Sequence, residues 1–140
     1  MRTSITGSAP RAADCSRCLA LCCVAPAFAA SADFAIDKPA RTPCPHLGAD
    51  HVCGIHDRLR ERGFPGCVVF DCFGAGQQVV QVTFGGSARR TPAMFAALDV
   101  LRPLHEVLAV LDEAARSPAG DEARANHLLV KNYSVVGLHW

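Results

Sequence analysis

Eight cysteines lie between Cys15 and Cys72, and none follows. This clustering is the tightest constraint on what the chain can become. Cysteine used only as a small hydrophobe would be spread along the sequence. The segment from 15 to 72 is short, rich in Pro and Gly, and poor in the large apolar side chains that build a core. Something covalent or metallic must staple it.

The spacing is Cys15-x2-Cys18-x3-Cys22-Cys23, then Cys44-x8-Cys53, then Cys67-x4-Cys72. On a helix, residues 15, 18 and 22 fall within about 60° of one another at 100° per residue. Three thiolates then project toward one point, with Cys23 at the edge of the stripe. Local gathering of three thiolates favours a soft metal, zinc or iron. The eight could form one four-thiolate site with spares, two four-ligand sites, or an iron–sulfur cluster beside a zinc. Cys22 or Cys23 singly could be a buried small residue, since neighbours in sequence rarely ligate one ion together. His46, His51 and His56 lie in the same region, but each reads first as a solvated loop residue. His105, His127 and His139 read as helix-surface or tail residues.

The chain has 140 residues, enough for one domain, and at 50% hydrophobic and 19% charged it should fold. A net charge of +1 gives no electrostatic reason to expect nucleic acid or an anionic membrane as partner. No stretch approaches a membrane span. Arg2, Arg11 and Arg17 precede the apolar run 18–30, which has the look of a secretory signal. Cleavage near Ala30 would leave Cys44, Cys53, Cys67 and Cys72 for two disulfides. Against this, Asp14 and Arg17 abut the run, Pro26 interrupts it, and Cys15 to Cys23 make a pattern that a discarded peptide does not need. The expectation is an intact N-terminus and a cytoplasmic protein.

Residues 1–13 read as a disordered N-terminus. Residues 14–86 form the cysteine-cluster metal-binding domain, and 87–140 a helical region. Asp14 caps a short helix through Cys23, which Pro26 breaks. Residues 34–39 are extended and 40–54 are loop. Residues 57–62 make one or two helical turns ended by Gly63 and Pro65. Val68 to Phe70 is a strand candidate. Over residues 77–84 the β-branched residues favour a strand, whereas the spacing of Phe73, Val80 and Phe84 with Asp71 as cap favours a helix, the reading preferred by a small margin; Gly85 and Gly86 end the element either way. The clearest helix opens at Thr91-Pro92. Met94, Leu98, Leu101, Leu104, Leu108, Leu111 and Ala115 make one apolar face, with Pro103 kinking or dividing it. That stripe is a core face first and a protein-partner surface second. Ser117 to Gly120 is a loop, and Asp121 caps a weaker helix to Lys131. The fold class is thus small α+β: a mostly irregular, metal-stapled cysteine domain followed by an amphipathic α-helical C-terminal region.

Other signals are weak. Gly74-x-Gly76 lacks the remainder of a dinucleotide fingerprint. Arg58, Arg60 and Arg62 alternate with Asp57 and Glu61 on a solvated face. Asp37, Glu61 and Asp71 could support ligands or act as acid/base groups, but nothing pairs them with a nucleophile.

Cys15-Ser-Arg-Cys-Leu-Ala-Leu-Cys-Cys23, Pro43-Cys-Pro-His-Leu47, Cys53-Gly-Ile-His56, Cys67 and Cys72 together resemble the YkgJ-type cysteine-cluster family, described as zinc- or iron-chelating. The resemblance covers about residues 14–75. Phe34-Ala-Ile-Asp-Lys-Pro39 and Asp71-Cys-Phe-Gly-Ala-Gly-Gln77 bring it nearer the N-terminal part of actinobacterial pentapeptide-repeat proteins. Two departures stand out: the spacer from Cys53 to Cys67 is longer than the family's linker, and no pentapeptide repeats follow. The chain is then a stand-alone cysteine module or a shortened copy. The resemblance implies that Cys15, Cys18, Cys22, Cys23, Cys44, Cys53, Cys67 and Cys72 supply metal ligands; the sequence offers no catalytic residue beside them. Two other readings stay open: an iron–sulfur enzyme or redox protein, and a secreted disulfide-rich domain.

Overall fold

The computed structural model describes residues 11–116. The expected loop from Ser117, the helix from Asp121 to Lys131, His127, His139 and most of the N-terminal segment lie outside these residues.

The first cysteines do not share one helix. Asp14 does cap, its side chain accepting from Ser16 N–H, but only a 3-10 turn, Cys15–Arg17, follows. A second 3-10 turn spans Leu21–Cys23. Between them Leu19 and Ala20 take left-handed φ of +53° and +51°. Each such residue costs on the order of 1–3 kcal/mol, so packing must hold them there. Arg90 contributes by donating to the Leu19 carbonyl at 2.8 Å. The expected single face for Cys15, Cys18 and Cys22 therefore gives way to two short turns separated by two left-handed residues.

Two isolated antiparallel bridges, Phe28 with Lys38 and Leu47 with Cys53, are the whole β component among the described residues. A 3-10 turn at His56–Arg58 opens the expected helical stretch, and Gly63, at φ +82°, ends it. Val68 to Phe70 is not a strand. Pro65 sits at the first position of helix α1, Pro65–Val69, where its missing N–H is no loss. Gly66 is needed there, because a Cβ would stand 2.5 Å from the Phe34 ring. That ring stacks on Phe28 at 4.3 Å between centroids.

After Gly74, helix α2, Ala75–Gln77, runs into a π-helical turn, Gln78–Thr83. This is the helix favoured over 77–84. Helix α3, Pro92–Arg116, is continuous through Pro103. Leu21, Val24, Ala25, Ala75, Val79, Val80, Met94, Phe95 and Leu98 form the main core. The apolar stripe of α3 is thus split. Met94 and Leu98 are buried, while Leu104, Leu108 and Leu111 are exposed. Arg102 and Glu106 are buried instead and pair at 3.3 Å, with Arg102 over the Phe70 ring.

Candidate metal centre

All eight cysteines line one cavity of about 480 Å³. Local geometry brings them there from three directions. The N-terminal turns are pinned to the stretch after Cys72 by Gln77, which accepts from Asp14 N–H and donates to the Ala12 carbonyl. Gln81 adds a bond to the Arg17 carbonyl. Gly76 allows the close approach: a Cβ there would lie 2.9 Å from Cys18 Cβ, 3.7 Å from Cys18 Sγ and 3.8 Å from Cys72 Sγ. Cys44 is held to the second turn by its N–H, which donates to the Cys23 carbonyl at 2.9 Å. Cys53 sits in the bridge with Leu47. Cys67 rides on α1 and joins a small apolar cluster of Phe28, Cys44, Ile55, Leu59 and Phe64, with Cys23 and Cys53 packed beside it.

Every cysteine is a free thiol. Cys18 and Cys44 are buried and Cys15 is exposed. Burial pushes the Cys18 thiol up to about 11 and the Cys67 thiol up to about 12. The bond it makes with Cys23 holds Cys22 well up, and burial adds to this; the same bond draws Cys23 down, helped by Lys38 and Arg90. Near neutral pH the Cys18 and Cys67 thiols are therefore protonated. A metal bound through them would have to displace their protons, releasing acid, and its hold would weaken as pH falls. Among the described residues no group of three or more Cys, His, Asp or Glu side chains stands ready to hold a metal ion. The sulfurs line the cavity without converging on a point. The donor set nonetheless suits a soft cation, because thiolates outnumber every other ligand type in the cavity wall.

The histidines divide. His46 lies edge-on to Phe64 at 5.2 Å, and His51 shares a 2.9 Å contact with Arg90. His51 and His56 touch the cavity. His105 is not a plain surface residue, since its Nδ1 meets the Phe73 carbonyl at 2.9 Å. Asp71 holds the backbone, accepting from Phe73 N–H, and Asp37 does so from Ala30 N–H.

Sequence reasoning missed Lys38. Its side chain is buried, lies over Phe28, and donates to the carbonyls of Val24, Pro26, Pro39 and Thr42. No carboxylate pairs with it among the described residues. Burial draws its pKa down, and the thiols of Cys44, Cys23 and Cys67 act in the opposite direction. A lysine between an aspartate and a proline in a short extended piece carries no sequence signal of this role.

No family model matches the chain, and no solved structure matches it. Over 107 residues it is 49% identical to an uncharacterized protein of Bacillus subtilis (strain 168), YybG, covering 73% of this chain and 38% of that protein. The chain therefore spans well under half of the relative's length.

Proposed function

We propose that the chain is a cysteine-cluster metal-binding module of the YkgJ kind, holding zinc or iron mainly as a structural element, in a reducing cytoplasmic setting. One observation carries this reading: eight free thiols, drawn from three parts of the sequence, line a single cavity. Metal–thiolate bonds, once made, cross-link the irregular loops that have little else to hold them. The chain's own residues set the stage. Gln77, Gln81 and Gly76 bring the first cysteines beside Cys72, and Lys38 ties four carbonyls of the loops that carry Cys23 and Cys44. Its buried positive charge favours thiolates over thiols beside it.

A kinship with the N-terminal part of pentapeptide-repeat proteins belongs to the same proposal. So does a protein partner, for which only the exposed part of the α3 stripe, Leu104, Leu108 and Leu111, is free of the main core. Among the described residues no helix is long and apolar enough to cross a membrane.

Metal analysis with ultraviolet–visible spectra on anaerobically purified protein tests the reading. Zinc is colourless and an iron–sulfur cluster absorbs in the visible, so the same sample separates a structural zinc module from an iron–sulfur protein. A folded, metal-free chain with four disulfides by mass spectrometry overturns both.

A further inference from the structure

We propose that the eight cysteines make two separate four-thiolate metal sites, one of Cys15, Cys18, Cys22 and Cys72 and one of Cys23, Cys44, Cys53 and Cys67. This division rests on the metal-binding reading above and goes beyond it in assigning each ligand.

The first set is fixed from the N-terminal side. Cys18 Sγ and Cys72 Sγ flank the same glycine, Gly76, at 3.7 and 3.8 Å from where its Cβ would be. Cys15 is one residue past Asp14, whose N–H is bonded to Gln77 at 3.0 Å, on the helix that follows Cys72. Cys18 donates its S–H to the Cys15 carbonyl at 3.5 Å, which keeps the two in one turn. The second set gathers elsewhere. Cys23, Cys53 and Cys67 pack around the apolar cluster that contains Cys44, and no member of the first set belongs to it.

Cys22 and Cys23 form the junction. Consecutive residues of a 3-10 turn point about 120° apart. One ion cannot take both without distortion, whereas two ions on opposite sides can take one each.

The two sites are unlike. Four thiolates around a divalent ion carry a net charge of −2. Beside the second set stands the buried Lys38, whose ammonium group donates to the carbonyls of Val24 and Thr42, on the stretches that carry Cys23 and Cys44. Beside the first stand Asp14 and Asp71, the immediate sequence neighbours of Cys15 and Cys72. The second site should therefore hold its ion longer, and the first should exchange it.

The test uses the full chain, refolded anaerobically with zinc alone and measured by native mass spectrometry, with three double variants. The unmodified chain should carry two zinc ions and release them to a chelator in two phases. Cys18→Ser with Cys72→Ser should leave one ion and only the slow phase. Cys44→Ser with Cys67→Ser should leave one ion and only the fast phase, whereas Cys18→Ser with Cys67→Ser should weaken both. A single ion in the unmodified chain overturns the division while leaving metal binding intact. So does a loss of both ions from either same-site pair with the cross pair spared. Absence of any ion from the unmodified chain removes the metal-binding reading itself. Titration of the unmodified chain with cobalt(II), read by the tetrahedral thiolate absorption, gives the same count without relying on any variant's folding: an end point at two equivalents supports the division, and one equivalent overturns it.

Discussion

Lys38 and Gly76 show how single residues shape the cavity. Lys38 is buried, with four carbonyls around its ammonium group. Lys38→Met keeps the length of the side chain but strips those carbonyls of their donor. Each buried group left unpaired costs about 1–3 kcal/mol. Supporting residues around metal ligands typically contribute 10–100-fold in affinity. Zinc affinity of the Lys38→Met protein, measured by competition with a chromophoric chelator, should fall by about that range. Unchanged affinity would deny Lys38 a part in the site. Gly76→Ala places a methyl group 2.9 Å from Cys18 Cβ, closer than real side chains approach. Overpacking of this kind costs roughly 1–3 kcal/mol. Thermal unfolding should show the loss, with zinc retention at Cys18 and Cys72 reduced. A Gly in a Gly-x-Gly pair after a cysteine could be read as a loop residue from sequence; only the approach of Cys18 from the other end of the segment gives it a reason.

At the scale of elements, α3 offers the cleanest contrast. Leu98 is 1% exposed and Leu111 is 57% exposed, although both belong to one apolar stripe. Leu98→Ala should destabilise by about 2–5 kcal/mol, and Leu111→Ala by about 0.5 kcal/mol or less, as read from denaturant midpoints. Periodicity in the sequence gave the face of this helix but not the point at which the core beneath it ends. The turn elements show a different limit. Apolar, β-branched Val68 and Val69 suggested a strand, yet Pro65 starts a helix in place and Gly66 fits it under Phe34. Tertiary contact outweighed a weak local preference. The same holds at Leu19 and Ala20, ordinary residues placed in left-handed geometry by contacts that arrive from Arg90, far along the chain. What was legible was local: the Asp14 cap, the helix after Gly74, and the start of α3 at Pro92. The cysteine set was legible as a cluster. Its arrangement was not, because the helix drawn through Cys15, Cys18 and Cys22 breaks at those two residues.

At the scale of the whole molecule, the described residues form one main core and one small one. The main core joins Leu21 to Ala25 and Ala75 to Val80 with Met94, Phe95 and Leu98 of α3, so it draws on both sides of position 86. Ion pairs reinforce the junction, Arg11 to Asp112 at 2.9 Å and Arg41 to Asp99. The small core, around Phe28, Ile55, Leu59 and Phe64, is what the cysteine loops have to fold upon. Ordering a backbone costs about 1–2 kcal/mol per residue, and apolar burial returns about 25 cal/mol per Å². Loops from 26 to 72 have only four large, fully packed apolar anchors among the described residues, Phe28, Ile55, Leu59 and Phe64. Structural zinc supplies on the order of 10–16 kcal/mol in small peptides, a contribution of the kind such loops need. Helix α3 is long and contains good helix formers, yet a lone helix is marginal in water, and Pro103 costs about 3 kcal/mol within it. Metal removal should therefore leave partial helical circular dichroism, and Pro103→Ala should increase it.

Amide hydrogen exchange, followed residue by residue on the anaerobically loaded protein and again after chelation, tests most directly whether metal binding and folding are one event in residues 14–75. The account predicts that protection across those residues collapses with the metal, while α3 keeps part of its own. If residues 14–75 stay as protected without metal as with it, the thiols are not what folds this domain, and the metal-stapled reading fails.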